Sequence, residues 1–97
     1  MRLIGGLYKG TTLFQPDDRL TRPLKDMTKE AIFNLLTHSN KINLQFNNLS
    51  VLDIFSGTGS FGLECISRGA KKVTFIENYK PIITILEKNI IKLNVVN

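Results

Sequence analysis

Tryptophan is absent from the 97 residues, cysteine and histidine occur once each, and proline only three times. A single thiol, Cys65, cannot close an intrachain disulfide and has too few cysteine or histidine neighbours for a zinc site. No metal is therefore expected, and the pattern suits a reducing, cytoplasmic compartment. No apolar run approaches the ~20 residues of a membrane span, and Met1-Arg2-Leu3-Ile4-Gly5-Gly6 lacks the extended apolar core of a signal peptide, so no membrane partner is expected. Acidic residues are also the minority: thirteen Lys and Arg against eight Asp and Glu give a net charge of +5, which favours a polyanionic partner. That charge is spread along the chain, without a polybasic tail.

With 42% apolar and 22% charged residues, the composition is that of one small globular domain. Three stretches divide it. Residues 1–24 alternate short apolar pieces with glycines and then turn polar around Pro16-Asp17-Asp18-Arg19, which predicts a small β-ribbon and a basic loop. Residues 25–48 hold a first helix and a linker. Ala31, Ile32, Leu35 and Leu36 recur at helical spacing from Asp26, a candidate N-cap, to His38. Residues 49–97 read as strand, helix, strand, helix. Leu49 to Phe55 suits a strand buried on both faces, a short helix ends at Gly69, Lys72 to Glu77 forms the second strand, and Pro81 opens an Ile-rich helix. This predicts an α/β fold built on a βαβα unit with two parallel strands. Two strands make an incomplete doubly wound sheet, and Val95-Val96-Asn97 falls where a third should begin, so a fragment is expected, with self-association through the open sheet edge as the other way to satisfy it.

Between the first strand and its helix stands Gly57-Thr58-Gly59-Ser60-Phe61-Gly62, a G-x-G-x-x-G turn, with Glu77 at the tip of the second strand. Such a turn lets backbone approach a ligand, and a carboxylate at the second strand tip is placed to accept from ribose hydroxyls. Nicotinamide dinucleotides and S-adenosylmethionine both carry that ribose. Asp53, four residues before the first glycine, separates them: its charge opposes a pyrophosphate and favours the ammonium and sulfonium of the methyl donor. The plain structural alternative is that the glycines only make a tight turn, Glu77 caps the next helix, and Asp53 is a buried hydrogen-bonding residue.

Val51-Leu52-Asp53-Ile54-Phe55-Ser56-Gly57-Thr58-Gly59-Ser60-Phe61-Gly62-Leu63-Glu64, then Ser67-Arg68-Gly69-Ala70-Lys71-Lys72-Val73 and Glu77, closely resembles the RsmD-type methyltransferases that modify guanine N2 in small-subunit ribosomal RNA. Arg2-Leu3-Ile4-Gly5-Gly6-Leu7-Tyr8-Lys9-Gly10, Arg22-Pro23 and Lys29-Glu30-Ala31-Ile32-Phe33-Asn34-Leu35-Leu36 resemble that family's opening ribbon and first helix. The resemblance implies a partial Rossmann-like fold dependent on S-adenosylmethionine. It implies that Asp53, Gly57 and Gly59 line the methionine end of the cofactor, that Phe55 and Thr58 also belong to the cofactor site, that Glu77 holds the ribose, that Asn78 lies near the adenine, and that Arg22 faces the cofactor carboxylate. With the resemblance, Arg2, Lys9, Arg19 and Lys25 become candidates for contact with ribosomal RNA phosphates.

Two departures stand out. Leu24 and Lys29 replace the family's usual Thr and Arg, and a lysine cannot reproduce an arginine fork. The family's catalytic Asn/Asp-Pro-Pro-Tyr/Phe motif has no match in these residues, so no catalytic residue is assigned and the chain alone is expected to be inactive. A fragment of a DNA adenine methyltransferase and a non-catalytic RNA-binding or self-associating module are the alternatives. His38 is expected to favour a helix C-terminus, and Cys65 to pack in the core.

Overall fold

The structure is a computed structural model, and it describes residues 1–15, 26–38, 44–54 and 56–93. Helix α1 spans Asp26–His38, strand β1 Ser50–Ile54, helix α2 Ser60–Ser67, strand β2 Lys72–Ile76 and helix α3 Lys80–Lys92. The strands pair in parallel, from Ser50 opposite Lys72 to Ile54 opposite Ile76, so the expected βαβα unit is present. The expected ribbon is a short antiparallel loop-back: Arg2 bridges Thr12, and Leu3 and Leu13 donate to the carbonyls of Thr11 and Met1.

Helix α2 is the hub. It buries six of its eight residues, with Leu63 joining Leu3, Leu13 and Leu93 in one apolar cluster and Cys65 joining Phe33 and Phe46 in another. A helix buried on nearly every side is an interior element, and its polar residues Ser60, Glu64 and Ser67 must find partners inside the protein. Its close seating on the sheet depends on Gly62, where an added Cβ would lie 2.3 Å from Cε1 of Phe75. The ribbon closes its C-terminal end: the carbonyl and hydroxyl oxygens of Ser67 accept from the Leu7 and Tyr8 N–H groups, and the hydroxyl donates to the Gly5 carbonyl. Helix-terminal carbonyls need such partners.

At the centre lies an ion pair taken wholly out of water. Both the Lys29 and Glu64 side chains have no exposed surface, and their charged atoms stand 3.2 Å apart. The ammonium has three protons and finds three acceptors: Glu64, the Arg2 carbonyl at 2.6 Å and the Ser60 hydroxyl at 3.0 Å. The carboxylate also receives the Ile4 and Gly5 N–H groups and the Arg68 guanidinium at 2.9 to 3.0 Å. Burial alone would raise the Glu64 carboxyl, but these donors outweigh it and hold the group below its ordinary range.

Three expectations need correction. Asp26 is the first helical residue, and its carboxylate accepts from the Arg2 N–H and faces the Arg2 guanidinium at 3.5 Å. The buried stripe of α1 is Lys29 and Phe33, while Ala31 and Leu35 face solvent. The helix turns this way because the Phe33 ring meets those of Phe46 and Phe61 and lies under Arg68. Finally, β1 is covered on one face only, leaving Leu52 and Ile54 more than half exposed.

Removing one partner of a buried pair strands the other charge, so Lys29→Met is expected to cost about 3–5 kcal/mol of a domain's typical total of about 5–15. An unchanged urea midpoint would show that the pair is not a structural keystone. The Glu64 carboxyl lies lower when folded than when unfolded, so its stabilisation is complete above the unfolded value and is lost as pH falls through the folded one. Glu64→Gln should therefore flatten the acid side of a stability-against-pH curve.

Candidate functional site

The glycine turn sits at the carboxyl ends of both strands, where open α/β sheets take their ligands. Ser56 ties those ends together. Its N–H donates to the Ile76 carbonyl, its hydroxyl accepts from the Ile76 N–H, and the same hydroxyl donates to the Asp53 carbonyl at 2.6 Å. This draws Glu77, next in the chain, against the turn: one carboxylate oxygen receives the Gly57 N–H at 2.8 Å and the other receives those of Asn78 and Tyr79. The Gly57 N–H, followed by that of Tyr79, holds the Glu77 carboxyl below its usual range. Glu77 thus supports the entry to α3 as well as facing the turn. Three donors leave acceptor capacity on a carboxylate that offers about four lone-pair sites.

Asp53 is different. Burial raises its carboxyl above the ordinary range, a hydrogen bond from the Gly62 N–H opposes this, and repulsion from Glu77 adds to it. Among the described residues its Oδ2 is buried with no hydrogen-bond partner. A buried acceptor without a partner is costly, and such an exception calls for an explanation. A ligand cation against that oxygen would supply one. The ammonium of an S-adenosylmethionine methionine moiety fits this donor-poor, acidic corner, and a pyrophosphate does not.

The glycines divide the labour. Gly57 has a φ of +57°, and an added Cβ there would meet open space. Gly59, at +89°, has its missing Cβ position filled by Leu86, whose Cδ1 would stand 2.5 Å away. Gly57 therefore leaves room beside the turn, whereas Gly59 lets α3 close on it. Thr58 is buried: its hydroxyl points inward to the Met1 sulfur at 3.5 Å and its carbonyl accepts from Asn89. Asn78 is exposed and near Glu77. Phe55, Arg22, Arg19 and Lys25 lie outside the described residues.

Asn89 is a residue that the sequence reading missed. Fully buried on α3, it accepts from the Phe14 N–H at 2.6 Å and donates to the carbonyls of Phe14 and Thr58. It locks the ribbon's end and the glycine turn to one amide. The only hint in sequence was a polar residue inside an Ile-rich helix.

Of the RNA candidates, Arg2 and Lys9 line a cleft of about 440 Å³ between ribbon and α1. Asp26 and Glu30 line it too, so the cleft carries both signs, and it shares no lining residue with the glycine turn. Burial pushes the Cys65 thiol up to about 12, helped by Asp53 and Glu64, which leaves it a packing residue. Among the described residues no group of His, Cys, Asp and Glu is arranged to hold a metal ion, and no helix is long and apolar enough to cross a membrane.

The family model described as conserved hypothetical protein 95 matches residues 1–97. Ribosomal RNA small subunit methyltransferase D of Haemophilus influenzae is 39% identical over 90 residues, covering 93% of this chain and 44% of its own length. The protein of the same name from Escherichia coli is 35% identical over 97 residues, covering all of this chain and 46% of its own. The solved structure of the Escherichia coli methyltransferase-like protein yhhF superposes on the whole chain with a TM-score of 0.80 at 33% identity, again using 48% of the longer chain. The chain spans about half the length of the curated relatives it matches.

Two substitutions separate structure from ligand at this site. Gly59→Ala combines a positive φ with a steric clash and should cost about 2–4 kcal/mol, against about 1–2 for Gly57→Ala, in urea denaturation. Because the Asp53 carboxyl lies higher when folded, its ionisation opposes folding near neutral pH, so Asp53→Asn should leave the melting temperature unchanged or raised. A lowered one would mean that Asp53 serves the fold alone.

Proposed function

Since the chain belongs to the family of conserved hypothetical protein 95, which takes in the small-subunit rRNA methyltransferases named D, we propose that it is the cofactor-binding half of an S-adenosylmethionine-dependent rRNA guanine-N2 methyltransferase. The observation that carries this reading is the buried, unpartnered oxygen of Asp53 beside a glycine turn that Glu77 closes from the other strand. Both groups are acidic, which suits a ligand with cationic and hydroxyl groups and disfavours a dinucleotide phosphate.

The donor supplies a methyl group activated on a sulfonium. What this chain contributes is position and charge. Asp53 would face the ammonium, the space beside Gly57 would admit the methionine end, and the remaining acceptor capacity of Glu77 would take a ribose hydroxyl. Asn78 would lie toward the adenine, and Arg22 toward the carboxylate. Alignment of this kind is a large share of what a direct displacement needs from a protein. Arg2, Lys9, Arg19 and Lys25 are proposed to touch RNA phosphates, with Asp26 and Glu30 limiting how strongly the described pair does so.

S-adenosylhomocysteine is expected to raise the melting temperature of the chain more than NAD does at equal concentration. Asp53→Asn should weaken that binding by about ten- to a hundredfold, as loss of a charged hydrogen bond does. Preference for NAD would reject the reading. Binding should also weaken as pH falls through the raised Asp53 value, earlier than for an ordinary carboxylate. No methyl transfer to ribosomal RNA is expected from residues 1–97 alone, because the 97 residues contain no Asn/Asp-Pro-Pro-Tyr/Phe motif.

A further inference from the structure

The glycine turn contains three peptide planes, and the outer two are held from outside it. The Ser56 carbonyl accepts from the Gly59 N–H at 3.0 Å, which closes the turn on itself. The other end of each of those planes reaches out. The Gly57 N–H donates to Glu77 at the tip of β2, and the Thr58 carbonyl accepts from the Asn89 amide on α3 at 2.9 Å. Glycines at φ +57° and +89° flank Thr58, so the backbone is free to take other orientations here and hydrogen bonds must select one. Glu77 selects for the first plane and Asn89 for the last.

Asn89 has no capacity left over among these partners. Its oxygen accepts from the Phe14 N–H at 2.6 Å, and its two protons go to the Thr58 and Phe14 carbonyls. Three residues on, Lys92 and Leu93 hold the same stretch of ribbon independently. The Lys92 ammonium donates to the Thr12 carbonyl and lies 5.0 Å from the Phe14 ring centre, and Leu93 joins the cluster of Leu13. From this geometry we infer that Asn89 is a positioning residue: through the Thr58 carbonyl it holds the Thr58–Gly59 peptide in the orientation that receives the ligand's methionine end, and through Phe14 it couples that orientation to the ribbon. The ribbon end then acts on the ligand site without lining it. Whatever seats Phe14 favours the binding shape of the turn, and by reciprocity a ligand at the turn tightens Phe14. As a statement about affinity this rests on the proposed S-adenosylmethionine site; as a statement about the turn it does not.

Asn89→Asp separates the two ends of the amide. The carboxylate still accepts from Phe14 but cannot donate to Thr58, while Lys92 and Leu93 keep the ribbon in place. S-adenosylhomocysteine should bind this variant about five- to tenfold more weakly in calorimetry, the loss of one hydrogen bond. Amide exchange at the buried Gly59 should rise severalfold relative to Ile76, whose N–H is held by the Ser56 hydroxyl. Phe46→Leu, which loosens the cluster around Phe33, is expected to change neither, and circular dichroism of each variant checks the fold. In the unaltered chain, saturating S-adenosylhomocysteine should slow exchange at Phe14 relative to Ile76, a readout that needs no substitution. Unchanged affinity, or an unchanged Gly59 ratio, overturns the inference while the proposed site stands. An equal loss of affinity in Phe46→Leu overturns it too, as general loosening, and a Phe14 amide indifferent to bound ligand overturns the coupling. If the unaltered chain binds no S-adenosylhomocysteine, the proposed site fails, and the Gly59 ratio alone decides whether Asn89 sets the turn.

Discussion

Everything in this small domain is arranged around a single buried carboxylate. Glu64 collects the Ile4 and Gly5 N–H groups from the ribbon, the Lys29 ammonium from α1 and the Arg68 guanidinium from its own helix. Four donors fill the four lone-pair sites of the group, and Lys29 in turn spends its three protons without remainder. A buried ion pair is poor evidence of stability when its hydrogen bonds are incomplete. Here they are complete, and the pair fixes which way α1 faces: the ribbon, α1 and α2 have one mutual arrangement that satisfies both charges.

The carboxyl end of the sheet follows the opposite rule. Ser56, Asn89 and Glu77 hold the glycine turn in shape, while Asp53 keeps one buried oxygen without a partner and Glu77 keeps part of its acceptor capacity. A domain this small has little stability to spare, and an unsatisfied acceptor works against it. Saturated polar groups lie where the elements join, and unsaturated ones where a ligand would enter. The contrast tells scaffold from site.

Much of this was legible in the chain. The βαβα order, the parallel pair, Gly57 and Gly59 at the turn and Glu77 opposite it followed from local patterns, because strand and helix periods and turn glycines act over a few residues. The buried polar residues were not legible. Lys29, Glu64 and Asn89 look like solvated side chains, and their meaning depends on partners 27 to 75 residues away. The departure of Lys29 from an arginine raised the question of a lost fork; in the structure the single ammonium suits three acceptors in a tight interior. The rotation of α1 escaped for the same reason, since Phe33 is drawn inward by Phe46, Phe61 and Arg68, none of them near it in sequence. The resemblance to the RsmD-type family supplied what spacing could not, a reason to read the turn, ribbon and first helix together.

Asn89 also sets an order of events during synthesis. Its amide joins Phe14, 75 residues earlier, to the Thr58 carbonyl. At about 5–20 residues per second, roughly 4–15 s pass between the appearance of Phe14 and that of its partner. Throughout that interval the ribbon can rest on α2 as soon as Glu64 exists, but the glycine turn lacks the amide that holds it in place. A nascent chain can therefore seat its ribbon on Glu64 before the third helix exists, whereas the shaped turn and the apolar cluster that Leu93 completes both wait for that helix.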